Sequence, residues 1–134
     1  MESKKDCDYL IVEKSWKSLE IISDFIQKKC FSSKLSFKKS WELLLSVDEI
    51  CSSIISCSID EGNIIKIMWK ENEKNEINIE IIEDGSPFNP LNPSSDLYEI
   101  NLSLLREAVD RIEYKRDNGC NKVIITKLKR KRKK

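Results

Sequence analysis

A chain of 134 residues, 40% hydrophobic and with only three glycines and three prolines, is long enough for one folded domain and has the composition of an ordered polypeptide. Its formal charge of +1 hides a split: residues 127–134 hold seven of the 24 basic side chains and no acid, leaving 17 basic against 23 acidic residues, or −6, on the rest. Histidine is absent, which excludes Ser/His/Asp and Cys/His nucleophiles and most zinc sites, and no stretch approaches the roughly 20 apolar residues of a membrane span.

Residues 1–7 read as a short N-terminal extension without the apolar run of a secretory signal, so a cytoplasmic protein is expected. Residues 8–14, apolar at Tyr9, Leu10, Ile11 and Val12, read as a strand, and Ser15 is placed to cap the helix that follows. From Trp16 to about Lys29, Leu19, Ile22, Phe25 and Ile26 recur at helical spacing and form one buried stripe. After a loop over residues 30–34, Ser36 caps a second helix running from Phe37 to about Cys57. Its apolar residues cover most of its circumference, which makes it central, and Glu49, Ser53 and Cys57 stack at i, i+4 and i+8 on its remaining polar line.

Residues 63–70 and 76–82 form a hairpin around the polar turn 71–75, with Ile77, Ile79 and Ile81 on one face and Asn78 and Glu80 on the other. Three prolines make residues 84–96 a loop, a short helix begins near Asn101, and residues 111–115 and 122–128 flank the turn Asp117-Asn118-Gly119. The five cysteines are odd in number, lack a Cys-x-x-Cys pair and read as reduced thiols. Helices grouped against hairpins predict an α+β fold, a two-layer sandwich of a mixed, mostly antiparallel sheet with helices on one face. The domain is expected over residues 8–127, followed by a basic tail over 128–134. A run such as 127–134 reads first as solvated coil, with nucleic acid or an acidic protein as the other partners open to it.

The loop Glu83-Asp84-Gly85-Ser86-Pro87-Phe88-Asn89-Pro90 has two readings. Asp-Gly followed by proline is above all a turn signal. A carboxylate two residues before a glycine, stiffened by proline, is also how some nucleotide pockets present an acid to the adenine amino group.

Taken with residues 43–53 of the second helix and residues 109–127, this loop resembles the histidine-kinase-like ATPase superfamily, in its anti-sigma-factor and serine-protein-kinase branch. The resemblance spans roughly residues 8–127. It implies Glu49 as the catalytic base, Ser53 at the position of the magnesium-holding asparagine, and Glu83, Gly85 and Pro87 as adenine-site residues. It also implies that the glycine-rich phosphate lid aligns with Tyr98-Glu99-Ile100-Asn101, with Asn101 among the vestigial nucleotide-site residues and Glu99 adding a negative charge close to where phosphates would lie. Serine replaces asparagine, glutamate replaces aspartate, and the lid has no glycine.

The expectation is therefore a vestigial nucleotide site with no cofactor and no metal, ATP and magnesium entering only if the site still works. The function implied is regulation by binding a sigma factor, an anti-anti-sigma factor or another signalling protein, with a homodimer plausible. The alternative is an active ATP-dependent serine-protein kinase. Nucleic-acid binding rests on the tail alone, and no membrane partner is expected.

Overall fold

The computed structural model describes residues 6–57, 64–91 and 102–130. The elements run β1 (Asp6–Glu13), α1 (Ser18–Ser32), α2 (Phe37–Cys57), β2 (Ile64–Glu71), β3 (Glu76–Glu83), α3 (Leu102–Ala108), β4 (Arg111–Asp117) and β5 (Cys120–Leu128). The five strands form one sheet in the order β1-β2-β3-β5-β4, and every pairing is antiparallel. The expected two layers are present, and the mostly antiparallel sheet is wholly antiparallel among these residues. The two hairpins and the β1–β2 and β3–β5 pairs leave no parallel neighbours.

Register and the two-residue strand period fix what faces the helices. Two rows across the sheet are almost entirely apolar: Leu10, Ile67, Ile81, Val123 and Tyr114 in one, and Trp69, Ile79, Ile125 and Ile112 in the next. They pack with Ile22 and Ile26 of α1 and Leu43, Val47, Ile50 and Ile54 of α2 into a single core. The rows bounding this core keep the same inward face but carry polar side chains. At one end Glu83, Asn121 and Arg116 are successive neighbours, and at the other Glu71, Ile77 and Lys127 are.

Two expectations about ends and caps change. Ser15 does not cap α1: its carbonyl accepts from the Ser18 amide in a turn, and α1 begins two residues later than the sequence suggested. The Ser15 hydroxyl has no hydrogen-bond partner among the described residues. Nor does α1 stop at Lys29. It ends at Ser32, with Leu35 N donating to Cys30 O, Lys34 N donating to Phe31 O, and Lys34 at φ 59°. This is the Schellman arrangement with lysine where glycine is usual. Ser36 does cap α2, its hydroxyl accepting from the Lys39 amide at 3.2 Å. The β4–β5 turn places Asn118 and Gly119 at φ 51° and 75°, the left-handed pair that a two-residue hairpin needs.

The start of the basic tail is part of the sheet. Lys127 is 5% exposed, and its ammonium donates to Glu42 Oε1 and to the Ala108 carbonyl, so β5, α2 and the end of α3 meet on one cation. Lys129 donates its backbone N–H to Asn75 and its ammonium to Glu71 at 3.0 Å. The solvated-tail reading fails for these residues because inward parity carries Lys127 into the core and Glu71 holds Lys129. Residues 131–134 lie outside the described residues.

Glu71 also accepts from Trp69 Nε1 at 2.9 Å and from the Ser33 hydroxyl at the end of α1. Burial pushes its carboxyl up, but the Ser33, Trp69 and Lys129 donors and the Lys129 charge outweigh that and hold it below the usual carboxylate range. A carboxyl lowered in the folded state stabilises above its unfolded value and loses that contribution as pH falls through the folded one. Glu71→Gln is therefore expected to flatten the acid limb of stability against pH below about pH 4.3. Denaturant midpoints across that range check it, and an unchanged slope would show that Glu71 contributes nothing there.

Candidate functional site

Glu83 is the last residue of β3 and takes the inward parity of Ile77, Ile79 and Ile81, so its carboxylate lies on the buried face of the sheet at the base of the loop. Its side chain is 0% exposed. Oε1 accepts from the Lys14 ammonium at 3.0 Å and from the Gly85 amide at 3.0 Å, and Oε2 accepts from Asn121 Nδ2 at 2.5 Å. Lys14 follows β1 and reaches past β2 to make this contact, its own side chain 1% exposed. Two buried opposite charges at this distance, with further donors on the carboxylate, form a pair whose desolvation is compensated as long as both partners stay.

Asn121 is the node of the site. Besides Glu83, its amide donates to the Ser86 carbonyl at 2.8 Å, while its oxygen accepts from Phe88 N at 3.0 Å, the Tyr114 hydroxyl at 2.7 Å and Arg116 Nη1 at 3.2 Å. Arg116 also donates to the Gly85 carbonyl at 2.7 Å. Asp84 accepts from the Ile64 amide at 3.1 Å and ties the loop to the start of β2. The loop expected to be an adenine site is thus held by side chains from three strands and by Lys14. Gly85 is buried within this network, whereas Pro87 is exposed at the tip of the loop.

The second-helix residues stand differently. Glu49 and Cys57 are half-buried, but Ser53 is 1% exposed, and its hydroxyl has no hydrogen-bond partner among the described residues. The polar line seen in the sequence therefore turns inward at Ser53. Asn101 and the rest of the 98–101 segment lie outside the described residues. Among those described, no cluster of His, Cys, Asp and Glu could hold a metal ion, and no helix is long and apolar enough to cross a membrane.

Cys30, Cys51, Cys57 and Cys120 are free thiols. Burial pushes Cys51 far up, with the Asp48 charge adding to it, and pushes Cys30 up against a partly offsetting hydrogen bond from Ser40. Thiols held protonated in this way are poor nucleophiles.

Sequence reasoning missed Lys14, Asn121, Tyr114 and Arg116. The signal for Asn121 was its alternation with Val123, Ile125 and Lys127 on the inward face of β5.

No protein-family model and no curated protein matches this sequence. Among solved structures the chain is similar to the RsbU and RsbW domains of Rv1364c from Mycobacterium tuberculosis, with a TM-score of 0.72 at 8% identity over 94% of this chain. It spans about a third of that longer chain, 33%. At this identity the likeness establishes the fold, which is that of the histidine-kinase-like ATPases.

Proposed function

We propose that this chain is a regulator that binds protein partners on a histidine-kinase-like ATPase fold without nucleotide, the partner being a sigma factor, an anti-anti-sigma factor or another signalling protein. The observation that carries this reading is the state of Glu83. In the resemblance this carboxylate receives the adenine amino group; here both its oxygens are taken by Lys14, Gly85 and Asn121, and it has no exposed edge. Adenine would have to displace a buried lysine or the Asn121 amide, each of which then loses a compensated contact. Ser53, with one short hydroxyl in place of an amide, fits magnesium poorly, since the cation demands oxygen ligands at near-ideal octahedral distances. These residues do not suit ATP and magnesium, and the interior at Glu83 serves the fold instead.

The alternative, an active serine-protein kinase with Glu49 as base, draws on one observation. The Ser53 hydroxyl, one helical turn from Glu49, is buried without a partner among the described residues. Calorimetry of the intact chain with ATP or ADP and magnesium separates the two. Silence at millimolar nucleotide is expected, and micromolar binding would restore the kinase reading. The immobilised chain should also retain a transcription or signalling protein from its native cytoplasm equally with and without ATP. Retention that requires nucleotide would overturn the proposal.

A further inference from the structure

The junction of α1 and α2 leaves three aromatic rings in water. Phe31 is 85% exposed, Phe37 86% and Trp41 57%, and with Leu35 and Leu44 they line an open groove of about 380 Å³. Exposed apolar residues scattered singly need no explanation, but a contiguous aromatic patch rimmed by charge marks an interaction surface. The groove is preformed. The Schellman end of α1 sets Leu35, the Ser36 cap starts α2, and the Ser33 hydroxyl between them is held by Glu71.

The sequence that builds it is rich in lysine. Residues 25–41 contain five lysines and no carboxylate, on a body that is otherwise net acidic. Lys28, Lys34 and Lys38 are exposed, and Lys39 is half-buried. Lys38 approaches Glu42 only at 3.8 Å and stays 84% exposed, while Lys29 turns away toward Asp8 at 3.5 Å. Aliphatic walls from Leu35 and Leu44 suit apolar anchors better than the flat stacking of bases, and the rim lacks the arginines that usually accompany base stacking.

We propose that this groove docks an acidic amphipathic segment of a protein partner, with apolar side chains against Phe31, Phe37 and Trp41 and carboxylates on the lysine rim. This deepens the protein-binding reading above and rests on it. An amphipathic helix presenting anchors at i, i+3, i+4 and i+7 is the economical form of such a segment. Its carboxylates would be steered toward the lysines around the groove.

The test uses the full chain and a labelled peptide of about 16 residues, with leucine at helical anchor positions and Asp and Glu elsewhere. Fluorescence anisotropy should give micromolar binding that weakens between about 0.05 and 0.5 M salt. Trp41→Ala with Phe37→Ala should weaken it about tenfold or more. Both positions are exposed, so the fold should survive. If circular dichroism shows otherwise, the charge reversal Lys34→Glu with Lys38→Glu replaces that variant, with the same loss expected.

No binding, equal binding of a peptide whose acids are replaced by lysine, insensitivity to the variants, or tighter binding of a U-rich RNA would each overturn the proposal. The outcome is separable from that of the nucleotide titration. Micromolar ATP binding beside intact peptide binding would sink the nucleotide-free reading and leave the groove standing, and nucleotide silence without peptide binding would do the reverse.

Discussion

Glu83→Ala is expected to destabilise the domain by about 3–5 kcal/mol, the range for removing one partner of a buried ion pair. The Lys14 side chain, 1% exposed in the intact fold, would lose its carboxylate partner, and the Gly85 amide and one Asn121 donor would lose their acceptor in the same step. Chemical denaturation followed by tryptophan fluorescence measures the loss. Lys14→Met combined with Glu83→Leu should recover the part due to the stranded Lys14 charge, but not the part due to the Gly85 amide and the Asn121 donor, which still lack their acceptor. Glu83→Asp restores the acid of the resembling family but withdraws the carboxylate by roughly 1.5 Å, one carbon–carbon bond. It should weaken the network without creating nucleotide binding. A loss under about 1 kcal/mol for Glu83→Ala would mean that this carboxylate behaves as a solvated surface acid.

Trp69→Ala should cost a similar amount, about 3–5 kcal/mol, for a different reason. The indole is 0% exposed, in the row with Ile79, Ile125 and Ile112, so its removal opens a large cavity between sheet and helices. Its Nε1 also donates to Glu71. Trp69→Phe keeps most of the volume and loses the donor, which limits the expected cost to about 1–2 kcal/mol. Combining Trp69→Phe with Glu71→Gln should fall short of the sum of the two single effects, since both act on one hydrogen bond. Strict additivity in urea midpoints would show that the Trp69–Glu71 bond carries no energy.

The hairpins, the Ser36 cap and the central second helix were legible because each rests on local chemistry: alternation, turn residues and spacing. Glu83 was singled out in the sequence but misplaced. It was read as the first residue of a loop, whereas β3 continues through it and parity turns its carboxylate inward. Lys127 was counted with the charged run at the end, although it alternates with Ile125 and Val123 on the core side of β5. Ser53 was read on a polar line, and the packing of α2 against the sheet buries it. Lys14 could not have been found locally. Its partner is 69 residues away, and the pairing depends on β2 lying between them.

The polar rows that close each end of the core carry a consequence for how the strands find their alignment. Alternating isoleucines penalise a slip of one residue, which would turn the whole apolar set outward, but they are nearly blind to a slip of two. Between β3 and β5 such a slip would keep the inward isoleucines inward yet set Glu83 against Val123 or beyond the strand end, and separate Lys127 from Glu42 and the Ala108 carbonyl. The isoleucines decide which side of each strand is inside. Glu83 with Asn121 at one end, and Lys127 at the other, act as stops that decide where along its neighbour each strand comes to rest.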